Sequence, residues 1–218
     1  MTNYSLSQDS LIRELLLEEN KLPLVIQCGA GIGEEVSFLN SMFKKAILLE
    51  ANSSLIPEIQ RRVEGRTGTE FVIRQQLLSS SNGSFSFTRR SAYFTSSMKK
   101  MTPLHRELVP LSEDTLEENL IGRTLDSLFS EQENQLFVPF LNLLIVDCEG
   151  SDLDVLRGGT RLLQRTQFVS TEIVLEPLYE NQPCLGEVKE WMFRQGFELQ
   201  SILWWTNKLG DAYFKKNL

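Results

Sequence analysis

Apolar and polar positions follow readable periods over most of the chain. "LPLVIQC" (22–28), "AILLE" (46–50) and the first six residues of "LNLLIVDCEG" (141–150) are short, nearly continuous apolar runs. Runs of this kind predict strands buried on both faces of a parallel sheet. "SQDSLIRELLLEE" (7–19) has apolar residues at 11, 12, 15 and 16 behind Ser and Asp cap candidates, which predicts an amphipathic helix. A glycine loop after residue 28 opens a second helix reaching about Lys44. "SSLIPEIQRRVE" (53–64) predicts another, with Pro57 placed in its first turn. "EFVIRQQ" (70–76) adds a strand, so residues 22–76 read β-α-β-α-β, the pattern of a parallel sheet wrapped by helices.

The periods fade between 77 and 141. "GSFSFTRR" (83–90) alternates, with Phe85 and Phe87 on one face, and predicts a half-exposed strand, whereas 95–120 reads as irregular. The pattern then returns as a strand over 141–150, a helix over 151–164 and the strand "FVSTEIVLE" (168–176). "LGEVKEWMFRQG" predicts a helix stopped by Gly196. "FELQSILWW" and "DAYFKK" predict a terminal hairpin, in which adjacent Trp204 and Trp205 point to opposite faces, one into the core and one partly exposed. These elements fit one α/β domain over 1–218, with an N-terminal helix in 1–20 and an insert at 79–122 lying over the strand ends.

Composition narrows the function. The chain is 41% hydrophobic and 23% charged, an ordinary globular mixture. Its net charge of −7 opposes nucleic-acid binding, which needs a basic face to displace counterions. No run approaches the roughly 18 apolar residues of a membrane span. "MTNYSLSQDS" lacks the basic and apolar regions of a signal peptide. Cys28, Cys148 and Cys184 are odd in number and lack metal-ligand spacing, so a reduced, cytoplasmic protein is expected.

Candidate chemistry gathers at predicted strand ends. In an open α/β sheet, ligands sit outside the carboxyl ends of the strands, where strand order reverses. Gly29, Gly31 and Gly33 there form either a plain turn or a loop whose backbone touches a ligand. A dinucleotide fingerprint is G-x-G-x-x-G, but Glu34 stands where its third glycine belongs. The G-x-G-x-G form is typical of S-adenosylmethionine (SAM) sites. Glu50 ends the next strand and can accept hydrogen bonds from both hydroxyls of a ribose. Asp147 and Glu149 alternate at the end of a buried strand, so a regular strand sends both to one face; Asp152 and Asp154 read as helix caps. Arg89, Arg90, Lys99, Lys100 and Arg106 precede the acidic stretch "EDTLEE". They read as a self-compensating loop or as a lid for an anionic acceptor, such as a phosphate, a carboxylate or a carrier-linked group.

"LVIQCGAGIGEE", "LLEAN", "RTLDSLF", "LLIVDCEGSDLDVLRGG", "VSTEIVLE" and "GFEL", in that order, resemble the FkbM family of SAM-dependent methyltransferases. The resemblance implies a Rossmann-like class I methyltransferase fold: a mostly parallel doubly wound sheet with a C-terminal antiparallel hairpin. It implies O-methylation of a hydroxyl on a sugar, a glycan, or a polyketide or peptide natural product. Carried over by position, Gln27, Gly29, Ala30, Gly31 and Gly33 lie along the methionine part of SAM. Glu50, with Ala51 and Asn52, holds the ribose, and Gln76, Leu77 and Leu78 lie near the adenine. Asp147 and Glu149 face the methyl group and the acceptor. Proton removal from an alcohol calls for a general base, and Asp147, Glu149, Glu172 and the single histidine, His105, are the candidates. Asp147 and Glu172 are also the expected ligands of a divalent ion such as Mg. Three positions depart from the family. It usually has Asp at the position of Gln27, Asn at that of Gly31 and Lys at that of Ile145; Gln27 and Ile145 leave a SAM-binding module without catalysis as the alternative.

Overall fold

The computed structural model describes residues 21–130 and 138–217; the expected helix over 7–19 lies outside them. Seven strands form one sheet in the order β3-β2-β1-β7-β8-β10-β9. β1 (Leu22–Cys28), β2 (Phe43–Glu50), β3 (Glu70–Gln75), β7 (Leu141–Val146) and β8 (Thr166–Val174) run parallel. β10 (Leu209–Lys216) pairs antiparallel with both β8 and β9 (Phe197–Trp204), giving the expected terminal hairpin.

The apolar runs are explained by burial on both sides. Ile26, Ile47, Leu49, Leu144 and Val146 face one cluster, and Val25, Ala46, Leu48 and Leu143 the other. α1 (Val36–Met42) and α2 (Ile56–Val63) cover the second face through Val36, Leu39 and Ile59. α5 (Asp152–Arg157), α6 (Thr160–Leu163) and α7 (Leu185–Arg194) cover the first. The chain lays β1, β2 and β3 outward in one direction, then returns to the opposite side of β1 to place β7. The strand order therefore reverses between β1 and β7, which opens a crevice at their carboxyl ends.

Several boundaries differ from the sequence expectation. α1 ends at Met42 because Phe43 already belongs to β2. The helix expected over 151–164 is two helices, broken at Gly158 and Gly159. A Cβ on Gly158 would lie 2.3 Å from the Ser79 carbonyl oxygen, so the break admits a neighbouring backbone. Residues 95–120 are not irregular. They contain α3 (Pro103–Leu108) and the start of β6 (Asp114–Arg123). β6 lies between β4 (Leu77–Leu78) and β5 (Gly83–Arg90) in a separate three-stranded sheet, exposed along most of its length. That exposure removes the hydrophobic alternation by which a strand is recognised. Neither Trp204, 41% exposed at the end of the edge strand β9, nor Trp205 in the turn beyond it is buried.

The junction of β1 and β7 is tight. Gly29 follows β1 with φ +78°, and a Cβ there would sit 1.7 Å from the Asp147 carbonyl oxygen. Gly65 also has positive φ, at +71°, but faces open space. Gly65→Ala should therefore cost only the backbone term of about 1–2 kcal/mol. Gly29→Ala adds a backbone clash and should cost roughly 3 kcal/mol or more. Urea unfolding of the two variants checks this; equal losses would mean that the β1–β7 junction relaxes freely.

Candidate active site

A cavity lies at the carboxyl ends of β1, β2 and β7. It encloses about 770 Å³ of empty space, including the open mouth. Gly29, Ala30 and Gly31 form one wall, Glu50 and Ala51 the next, and Gln76, Leu77 and Leu78 the far end. Asp147, Cys148 and Glu149 close the opposite end. Phe87, Tyr93, Phe94 and residues 96–98 complete the lining.

The three alternate glycines have different duties. Gly29 admits the Asp147 carbonyl, as described above. A Cβ on Gly33 would press on Val36 at 3.2 Å, so this glycine serves helix packing outside the cavity lining. Only Gly31 combines positive φ (+52°) with space above it; its nearest neighbour, the Tyr93 ring, is 3.8 Å from a notional Cβ. Gly31 N–H donates to Glu50 Oε2 at 2.9 Å, and Asn52 N–H donates to Glu50 Oε1 at 2.7 Å. Glu50 is buried, which raises its pKa to about 7 against the pull of those two N–H groups. The Asn52 side chain is used elsewhere, accepting from Ser54 N–H at the head of a short 3-10 turn.

Asp147 and Glu149 both reach the cavity, though not as alternating strand residues. β7 ends at Val146, and 147–150 form a turn in which Glu149 is left-handed at φ +49°. Asp152 holds this turn from below, accepting N–H groups of Cys148 at 2.7 Å and Gly150 at 3.2 Å. It is a loop clamp more than a helix cap. Ser97 Oγ donates to the Glu149 carbonyl at 2.7 Å. The Tyr179 hydroxyl donates to Glu149 Oε2 at 2.7 Å. The Tyr179 ring packs so near Gly150 that a Cβ there would lie 2.6 Å away. Sequence reasoning missed Tyr179, which sits in an aperiodic loop. Its one signal is position: it follows β8, the neighbour of β7, at the same sheet end.

The remaining candidates fall outside the lining. His105 is buried behind Tyr179, ring edge to ring face at 4.7 Å between centroids, and burial lowers its pKa. It supports the tyrosine and does not reach the cavity. Glu172 lies within β8 opposite Asp211, and one of its carboxylate oxygens is buried without a partner. Burial, then Asp147, raises its pKa well above the usual range, and burial followed by Glu149 does the same for Asp147. Among the described residues no group of three or more His, Cys, Asp or Glu side chains is placed to hold a metal. The Mg expectation therefore has no structural support.

Three of the five basic residues of the insert are held in ion pairs, two of them within it. Arg89 pairs with Glu118 and Arg90 with Asp114, across β5 and β6, and Lys99 reaches Asp154 at 2.9 Å. Among the described residues no Lys or Arg lines the cavity. The acidic stretch is thus the partner of the basic one, and the lid for an anionic acceptor has no free cation in the cavity.

Solved structures share this architecture at very low identity. Magnesium protoporphyrin IX methyltransferase from Synechocystis PCC 6803, with bound SAM, aligns over 96% of this chain and 77% of its own at 8% identity and a TM-score of 0.54. Precorrin-6y C5,15-methyltransferase from Geobacter metallireducens GS-15 aligns over 100% and 93% at 10% identity and a TM-score of 0.52. TrmK of M. capricolum, in complex with S-adenosyl-homocysteine, aligns over 97% and 69% at 11% identity and a TM-score of 0.51. The fold is the Rossmann-like fold of SAM-dependent methyltransferases. No curated protein matches the sequence. A family model for the methyltransferase FkbM domain matches residues 27–199, and the chain belongs to that family.

The buried carboxyls set a pH dependence. A carboxyl whose pKa is raised by folding binds more protons in the native state than in the unfolded chain, so stability falls as pH rises through the native value. Glu50, at about 7, and Glu149, at about 8, place that fall between their ordinary value of 4.5 and about pH 8, and Asp147 and Glu172 act in the same direction. The ligand-free protein should melt at a lower temperature at pH 8.5 than at 6.5, and Glu172→Gln should narrow the gap. A melting temperature that rises over this range in scanning fluorimetry would show the carboxyls to be ionised without penalty.

Proposed function

We propose that this chain transfers a methyl group from SAM to a hydroxyl oxygen of an uncharged acceptor, a sugar or glycan or a polyketide or peptide natural product. The observation that carries this reading is the cavity at the β1–β7 switch point of an FkbM-family chain, with Glu50 on one wall and Asp147 and Glu149 closing one end. The residues fit the cofactor. Gly31 leaves open space on the wall, Leu77 and Leu78 offer an apolar end for a base, and Glu50 is an acceptor for ribose hydroxyls. SAM bound there supplies an electrophilic methyl carbon on a positively charged sulfur.

Positioning of the acceptor oxygen supplies much of such a rate, and a base must take the hydroxyl proton. Glu149 suits the second task. A general base works best with its pKa near the working pH, and burial lifts Glu149 to about 8 while the Tyr179 hydrogen bond restrains it. Asp147 orients the acceptor hydroxyl from the adjacent turn position. The lack of a lining Lys or Arg among the described residues favours an uncharged acceptor over an anionic one. The insert is read as a lid that excludes water. Cys28, Cys148 and Cys184 are all free thiols, which supports a reducing, cytoplasmic location, and among the described residues no helix is long and apolar enough to cross a membrane.

Glu149→Gln and Asp147→Asn should each cut turnover by roughly 10²–10⁴ while SAM affinity, by calorimetry, changes little. Tyr179→Phe keeps the ring against His105 and Gly150 but removes the hydroxyl that lowers the Glu149 pKa. The rising limb of its pH–rate profile should therefore move to higher pH. Near-normal turnover in both carboxamide variants would remove this catalytic assignment. Tight SAM binding with no transfer to any hydroxyl compound would favour the binding-module reading suggested by Gln27 and Ile145.

A further inference from the structure

Gln27 is 3% exposed and stands next to the end of β1. Its Nε2 donates to Glu35 Oε2 at 2.9 Å, and its Oε1 is buried with no partner. The carboxylate fixes this orientation of the amide, since the reverse one would set two acceptor oxygens face to face. Glu35 itself lines the cavity beside Gly29, Ala30 and Gly31. A buried amide oxygen without a donor is costly, and here it adjoins a carboxylate that the same amide holds in place. Gln27 is not itself part of the lining, so the group presented to the cavity is the Glu35 carboxylate, whose complement is a compact cation with N–H donors, such as an ammonium group.

Of the other cavity carboxylates, Asp147 keeps a buried oxygen without a donor and sits at the end given above to the acceptor, while the remaining three are engaged. Glu50 accepts from Gly31 and Asn52, Glu149 from Tyr179, and Glu34 from the Tyr93 hydroxyl at 3.0 Å. We propose that Glu35, held by Gln27, is the anionic contact for the ammonium group of the cofactor's methionine part. This rests on the SAM reading above. It also gives the Gln27 departure a role: the amide does not replace a lost charge but places one, on a residue eight positions further along the chain.

The test uses the full chain and two ligands in calorimetry: S-adenosylhomocysteine and its desamino analogue, in which hydrogen replaces the ammonium group. The wild type should prefer S-adenosylhomocysteine by roughly tenfold or more, the scale of a hydrogen bond to a charged group. Glu35→Gln should weaken S-adenosylhomocysteine by about that factor and leave the analogue unchanged, so that the preference disappears. The analogue thereby reports an intact adenosine site and a folded protein. Asp147→Asn should keep the preference. The inference is overturned if Glu35→Gln weakens both ligands equally or leaves the preference in place. It is also overturned if Asp147→Asn, and not Glu35→Gln, abolishes the preference. No binding of either ligand to the wild type would instead overturn the SAM reading, and this inference with it.

Discussion

The end of β1 and the turn after β7 meet where Gly29 passes the Asp147 carbonyl, at a distance that leaves no room for a side chain. Asp147 N–H donates to the Cys28 carbonyl at 3.0 Å in the same place. This joint sets the spacing of the two strand ends between which the order of the sheet reverses. The Gly31 wall lies on one side of it, and the Asp147–Glu149 turn on the other. A wider joint would part the two ends of the cavity; a narrower one would close it. The remaining supports act on a geometry that this joint has already fixed: Asp152 beneath the turn, Tyr179 and Ser97 above it, and the two N–H groups on Glu50.

A second constraint is electrostatic. The cavity gathers carboxylates into a low-dielectric space, where burial disfavours their charge. Backbone and tyrosine donors offset part of that penalty at Glu50 and Glu149. Asp147 keeps an oxygen with no donor at all. Such a site is poorly satisfied when empty and improves on taking up positive charge. A sulfonium compound with an ammonium group carries that charge in two places. The ion pairs of Arg89, Arg90 and Lys99 keep those three cations from neutralising the cavity in the cofactor's stead.

Much of the central sheet was legible because β1, β2 and β7 are apolar on both faces, so their runs are continuous and short. The G-x-G-x-G spacing located the switch point for the same local reason: positive φ leaves a compositional mark. It could not say which glycine faces the cavity, because Gly29 answers to Asp147, distant in sequence, and Gly33 to the packing of the helix that follows it. β6 was invisible since its partners are charges on β5, not a core, and a strand held by cross-strand ion pairs has no apolar period. His105 and Glu172 misled for a related reason. Residue type suggested chemistry, whereas depth is set by packing: a tyrosine stands before the histidine, and the sheet encloses the glutamate. Tyr179 and Glu35 show the converse, ordinary residues in sequence that gain their roles through Glu149 and Gln27.

Glu149 bears its carboxylate on a backbone of the left-handed region, at φ +49°, where residues other than glycine, asparagine and aspartate are uncommon. A conformational cost on the order of 1–3 kcal/mol is therefore built into the turn. The preference of the main chain and the usefulness of the side chain point to different amino acids at this position. In a lineage or a library selected for folding alone, Glu149→Gly and Glu149→Asn would accumulate, because both relieve the backbone. Under the proposed role of Glu149, retention of glutamate in related chains would record selection on chemistry, and its loss would be an early mark of a copy drifting from enzyme to scaffold.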